Sequence, residues 1–106
     1  MSHVLDELFT VIAARRGADA ATSYTAKLFA KGRKKIAQKV GEEGVETALA
    51  AVSETPAQVA AESADLLYHL LVLWADCGLT PDDVWAELAR RQGISGIAEK
   101  SGRSEV

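Results

Sequence analysis

The chain has 106 residues, enough for one small domain, and the whole length reads as a single unit. Its formal net charge of -3 excludes a general nucleic-acid binder, and its one cysteine, Cys77, excludes an internal disulfide and fits a reducing, cytoplasmic setting. No apolar run reaches the ~18 residues of a membrane span, and Asp6 and Glu7 interrupt the first apolar stretch, so no signal peptide is expected.

Abundant alanine and short β-branched runs predict an all-α fold, a bundle of four to five helices. Ser2 is the expected N-cap of a first helix reaching about Arg16. Val4, Leu5, Leu8, Phe9 and Ile12 fall there at helical spacing, with Asp6 and Glu7 in the first turn. Residues 17–23 read as a loop, and a short amphipathic segment from Tyr24 to Ala30 ends at Gly32. A long helix is predicted from about Arg33 to Ser53. Gly41 and Gly44 lie inside it, each costing roughly 1 kcal/mol of helix propensity against alanine. Close approach of another backbone or of substrate would account for them, as would simple tolerance.

Thr55-Pro56 opens the next helix, which runs to about Asp76 and stops at Gly78. Its second half, Leu66 to Ala75, is apolar nearly all round and must be covered on every side, which predicts a homodimer. Thr80-Pro81-Asp82-Asp83 opens a last helix to about Arg91, with Val84, Trp85 and Leu88 inward and Gly93 at its end. The remaining stretch, residues 94–106, read alone, is a frayed terminus.

The chemistry lies in two acidic pairs on successive helices. Glu43 and Glu46 lie one turn apart and share a side with Ile36 and Ala50. Glu62 and Asp65 share a side with Val59, Leu66 and Leu73. All four carboxylates are therefore expected to point partly inward, where a carboxylate needs a partner or a metal. Glu46 stands about eight residues before the turn at Glu54 to Pro56 and Glu62 about seven after it, so antiparallel helices bring the pairs to similar heights. Glu43, Glu46, Glu62 and Asp65 then form a hard-cation site. All-oxygen ligands suit Mg²⁺ or Mn²⁺, and the Cys/His sets of zinc are missing. Glu42 is a spare base or outer ligand. His69, four residues after Asp65, reads as a hydrogen-bonded core residue rather than a ligand. Cys77 has no nearby base in sequence and is not expected to be a nucleophile.

No acid occurs between Asp19 and Glu42, and Lys27, Lys31, Arg33, Lys34, Lys35 and Lys39 fill that interval. The block is either a solvated face or an anion site beside the cation site. Lys39 lies one turn from Glu43 and belongs to the phosphate end of that site. A cation beside a basic block implies a phosphorylated substrate, with water as nucleophile and a carboxylate as base. A non-catalytic helical dimerisation module with acids on its surface is the competing class. Burial of the acids around one point separates the two.

The acidic motif, E-E-x-x-E followed on the next helix by E-x-x-D, resembles the all-α nucleoside triphosphate pyrophosphohydrolase superfamily. Ser23-Tyr24-Thr25-Ala26-Lys27-Leu28, Lys35-Ile36-Ala37-Gln38-Lys39-Val40-Gly41-Glu42-Glu43, Asp65-Leu66-Leu67-Tyr68-His69 and Ser95-Gly96-Ile97-x-Glu99-Lys100 narrow the resemblance to the phosphoribosyl-ATP pyrophosphohydrolase family. It implies hydrolysis of the α–β anhydride of phosphoribosyl-ATP to phosphoribosyl-AMP and pyrophosphate, the second step of histidine biosynthesis. It also implies a helical homodimer. Gly44 stands where relatives often carry alanine. A housecleaning hydrolase of non-standard nucleotides is the neighbouring enzyme reading. Preference for phosphoribosyl-ATP requires a second anion site, for which Lys35 and its basic neighbours, or Ser95, Gly96, Lys100 and Arg103 of the tail, are the candidates.

Overall fold

The computed structural model describes residues 3–92; the tail residues Ser95, Gly96, Lys100 and Arg103 lie outside that range. Five helices follow one another: α1 Val4–Ala14, α2 Tyr24–Lys31, α3 Arg33–Ser53, α4 Pro56–Asp76 and α5 Pro81–Arg91. Among the described residues there is no strand, and no helix is long and apolar enough to cross a membrane.

Every helix but α3 starts where a side chain serves a free backbone N–H group. His3, which has no pattern value in the sequence, is the N-cap of α1, in place of Ser2; its Nδ1 accepts from the Leu5 N–H at 3.1 Å. That helix ends at Ala14, short of Arg16. Ser23 Oγ accepts from the Ala26 N–H at 3.1 Å to open α2. Thr55 Oγ1 accepts from the Gln58 N–H at 3.3 Å to open α4, with Pro56 at its first position. At α5 the Asp83 carboxylate accepts from the Thr80 N–H at 2.8 Å. Gly32, at φ 94°, is at once the last cap of α2 and the first of α3, a conformation that costs glycine little and an L-residue more.

The turn at Glu54 and Thr55 folds α4 back along α3, and this pair is the most extensive contact in the fold. The core is Ile12 of α1, Leu28 of α2, Ile36 of α3, and Leu71, Val72 and Ala75 of α4. Each large aliphatic side chain buried there contributes about 1.5–3 kcal/mol. Trp74 meets Trp85 edge to face at 5.9 Å and anchors α5. Val84 and Trp85 are half-buried as expected, but Leu88 is 54% exposed rather than inward.

The single chain covers much of the apolar half of α4 by itself. Leu71, Val72 and Ala75 are buried, Leu66, Leu70, Leu73 and Trp74 are half-buried, and Leu67 stands exposed. Uncovered apolar surface lies instead on α3, where Val45, Leu49 and Val52 form a stripe on the side away from Ile36 and Ala50.

At its C-terminus α4 is gripped by two arginines. Arg16 Nη1 donates to the Ala75 carbonyl at 2.8 Å and Arg33 Nη2 to the Asp76 carbonyl at 3.0 Å, while both guanidinium groups pair with the Asp76 carboxylate at 3.4 and 2.5 Å. Carbonyls that end a helix without partners thereby gain them. Arg33 of the basic block is thus engaged at the end of α4.

Candidate active site

Midway along the α3–α4 pair, Glu43 faces Glu62 and Asp65. Each offers a carboxylate oxygen, and these oxygens lie within 4.8 Å of one another. The burial is graded: Glu43 is only 8% exposed, Glu62 is intermediate, and Asp65 and Glu46 are exposed. The expectation that all four acids turn inward therefore holds fully for Glu43 alone. The 100° step places Glu46 at the edge of the packed face, not within it.

Electrostatics tie the four together. Burial, then the neighbouring Glu46 carboxyl and the charge of Asp65, push Glu43 from the usual 4.5 up to about 7, while Lys39 opposes. Glu62 is raised as well, by burial first and then by Glu46, Asp65 and Glu54. Glu46 thus lies beside both Glu43 and Glu62. Oε2 of Glu43 and Oε2 of Glu62 are buried with no hydrogen-bond partner. A native fold rarely leaves such atoms unpaired. Clustered oxygens of this kind fit a hard divalent cation, which would partner them and remove the mutual repulsion.

Glu42 is turned the other way. It accepts from Gln38 Nε2 at 2.7 Å and from Lys39 Nζ at 3.3 Å, and these two bonds hold it below the usual carboxylate range. Lys39 also stands 3.9 Å from Glu43, so it joins the buried acid to the outer one. Glu42 and Glu46 line a shallow groove of about 580 Å³ along α3, with Gln38, Gly41 and Val45. Lys35 is half-buried, one turn before Lys39, and its charge also reaches Glu42. Lys27, Lys31 and Lys34 are exposed. A Cβ built on Gly41 or Gly44 meets nothing within 4 Å, so no other backbone among the described residues requires either glycine.

On the far side of Asp65, α2 meets α4 through polar contacts that pattern reading leaves without roles. His69 is buried, with Nδ1 at 2.8 Å from the Asp65 carbonyl and Nε2 at 3.2 Å from the Tyr24 hydroxyl. Thr25 Oγ1 hydrogen-bonds the Tyr68 hydroxyl. His69 is thus the hydrogen-bonded core residue expected. Tyr24, Thr25 and Tyr68 carry no periodicity that marks them; only their place in two short motifs, Ser-Tyr-Thr and Tyr-His, singles them out. Cys77 is exposed at the end of α4.

The sequence profile described as phosphoribosyl-ATP pyrophosphohydrolase matches residues 5–92, nearly all of the described chain. Among curated relatives, the phosphoribosyl-ATP pyrophosphatase of Paramagnetospirillum magneticum is 65% identical over 104 residues, 98% of this chain and 95% of that protein. The protein of the same name from Rhodospirillum rubrum is 66% identical over 102 residues, 96% of this chain and 87% of its own length. That from Azospirillum brasilense is 64% identical over 100 residues, 94% and 90% of the two chains. With helices, paired acids and a near-full-length match in agreement, the chain belongs to the phosphoribosyl-ATP pyrophosphohydrolase family.

Proposed function

We propose that this chain hydrolyses phosphoribosyl-ATP at its α–β anhydride, releasing phosphoribosyl-AMP and pyrophosphate, the second step of histidine biosynthesis. The observation that carries the reading is the convergence of Glu43, Glu62 and Asp65 in a chain about two-thirds identical to relatives named for that activity. Mg²⁺ is the cofactor, with Mn²⁺ able to replace it, because the donor set is oxygen throughout. Bound there, the cation supplies charge neutralisation and polarisation of phosphate oxygens.

The chain's own residues divide the rest of the work. Glu43, Glu62 and Asp65 hold the cation, and Glu46 completes the set from the rim. Glu42, kept ionised by Gln38 and Lys39, is either the base that takes a proton from the attacking water or an outer ligand. Lys39, and Lys35 one turn away, neutralise the polyphosphate. The second phosphate, on the ribose attached to the base, is held by the remaining basic residues or by Ser95, Gly96, Lys100 and Arg103. Residues 1–106 act as one domain within a homodimer, supported by the exposed stripe Val45, Leu49 and Val52.

Product analysis tests the reading. Chelator-treated protein given phosphoribosyl-ATP and Mg²⁺ should release phosphoribosyl-AMP and pyrophosphate, and should do neither without the cation. Release of orthophosphate, or equal turnover of a panel of non-standard nucleoside triphosphates, would instead point to a different hydrolase. Deleting residues 95–106 should lower activity on phosphoribosyl-ATP at least tenfold and spare residual activity on ATP, if the tail holds the second phosphate.

A further inference from the structure

The hydrogen-bond chain from Asp65 to Tyr24 fixes a direction. A carbonyl oxygen only accepts, so His69 Nδ1, at 2.8 Å from the Asp65 carbonyl, carries a hydrogen. In the neutral ring Nε2 is then an acceptor, and its partner at 3.2 Å is the Tyr24 hydroxyl. Tyr24 therefore donates inward. Its oxygen keeps its lone pairs on the outer side, and the residue is 52% exposed. The ring is held by Tyr68, stacked at 6.2 Å and 24°, and by His69, edge-on at 6.0 Å. Tyr68 is itself held by Thr25. Tyr24 thus presents a fixed hydrogen-bond acceptor, unsuited to a phosphate oxygen and suited to a hydroxyl.

Its position is as specific as its polarity. His69 lies one turn beyond Asp65 on α4, and Lys39 lies one turn before Glu43 on the antiparallel α3. The two steps run in the same direction, which brings Lys39 and the His69–Tyr24 pair to the same end of the cluster. The phenolic oxygen is thus bonded to a residue one helical turn, ~5.4 Å of axial rise, along α4 from Asp65. In a nucleotide held there by its phosphates, the group that follows the α-phosphate is the sugar.

We propose that the Tyr24 oxygen accepts a hydrogen bond from a hydroxyl of the ribose that carries the α-phosphate, and that His69 is the positioning residue that aims it. This rests on the nucleotide reading above. The experiment compares wild type and Tyr24→Phe on phosphoribosyl-ATP and on its 2′-deoxy and 3′-deoxy counterparts, prepared from the corresponding deoxy-ATPs. Tyr24→Phe should raise KM for the ribonucleotide roughly three- to tenfold with kcat little changed. One deoxy substrate should cost wild type a similar factor and show no further loss in Tyr24→Phe, since the contact is removed once from either side. His69→Phe, checked for helicity by circular dichroism, should weaken the ribonucleotide and leave that deoxy substrate unchanged. Wild type indifferent to both deoxy substrates, or Tyr24→Phe losing equally on all three, overturns the inference while leaving the hydrolase reading intact. A wild-type protein that cleaves none of them overturns the hydrolase reading, and this inference falls with it.

Discussion

Glu43 is where cost and use meet in one side chain. A carboxylate 8% exposed, with one oxygen unpartnered, opposes folding unless it is protonated or holds a cation. Its value rises from 4.5 to about 7 in the fold, so the folded chain binds more protons than the unfolded one across that window. Stability from this group is present below about pH 4.5 and is lost as pH rises through about 7. In chelator, the thermal midpoint should fall between pH 5 and pH 8, and fall less in Glu43→Gln. Added Mg²⁺ should raise the midpoint of wild type more at pH 8 than at pH 5; an equal gain at both would separate Glu43 from cation binding. Glu46→Gln should lower turnover by at least a hundredfold with the helical spectrum retained. The pairs E-x-x-E and E-x-x-D were legible because helix period alone brings their members together. The difference between buried Glu43 and exposed Glu46 was not, because it depends on which part of α3 the side chains of α4 cover.

The element boundaries were legible where local chemistry sets them. Thr55-Pro56, Thr80-Pro81 and Gly32 each stop or start a helix through their own side chains or φ angle, and α3 and α4 run as their sequences imply. His3 was missed because imidazole is an uncommon cap whose value depends on reaching the Leu5 N–H. The inward reading of Leu88 failed because α5 has few neighbours to bury it: contact stops at Val84 and Trp85, one turn earlier on the same face. Along α3, Gly44 has empty space where a side chain would go and helical backbone angles. Gly44→Ala should therefore stabilise the protein by roughly 0.5–1 kcal/mol, read as a shift in the urea midpoint at constant slope. A loss of stability would mean that a second chain approaches α3 at that point.

At the scale of the whole molecule, the apolar account is unbalanced. Val45, Leu49 and Val52, at 59, 56 and 82% exposure, run along the same outer side of α3 as the groove that contains Glu42. A partner helix laid there would bury the stripe, at ~25 cal/mol per Å² of apolar surface removed from water. Light scattering at micromolar concentration should report a dimer, and Leu49→Asp should shift it to monomer. If the partner also closes the groove, that variant should lose activity in step with its dissociation. A wild-type monomer would show that the stripe is simply exposed. The homodimer was inferred in sequence from Leu66 to Ala75, but the chain's own α1, α2 and α3 cover much of that run. Periodicity reports that a face is apolar, not which neighbour lies over it.

The two ends of the α3–α4 pair are closed by unlike means. At one end the chain itself turns at Glu54 and Thr55; at the other, Arg16 and Arg33 converge on Asp76. Dissolved salt acts on charge and not on connectivity. Rising ionic strength should therefore weaken the arginine clasp alone, while Ile36, Leu71, Val72 and Ala75 keep the helices packed beneath it. Amide exchange should quicken at the C-terminal turn of α4 and the first turn of α3, while the amides near residues 53–58 keep their rates.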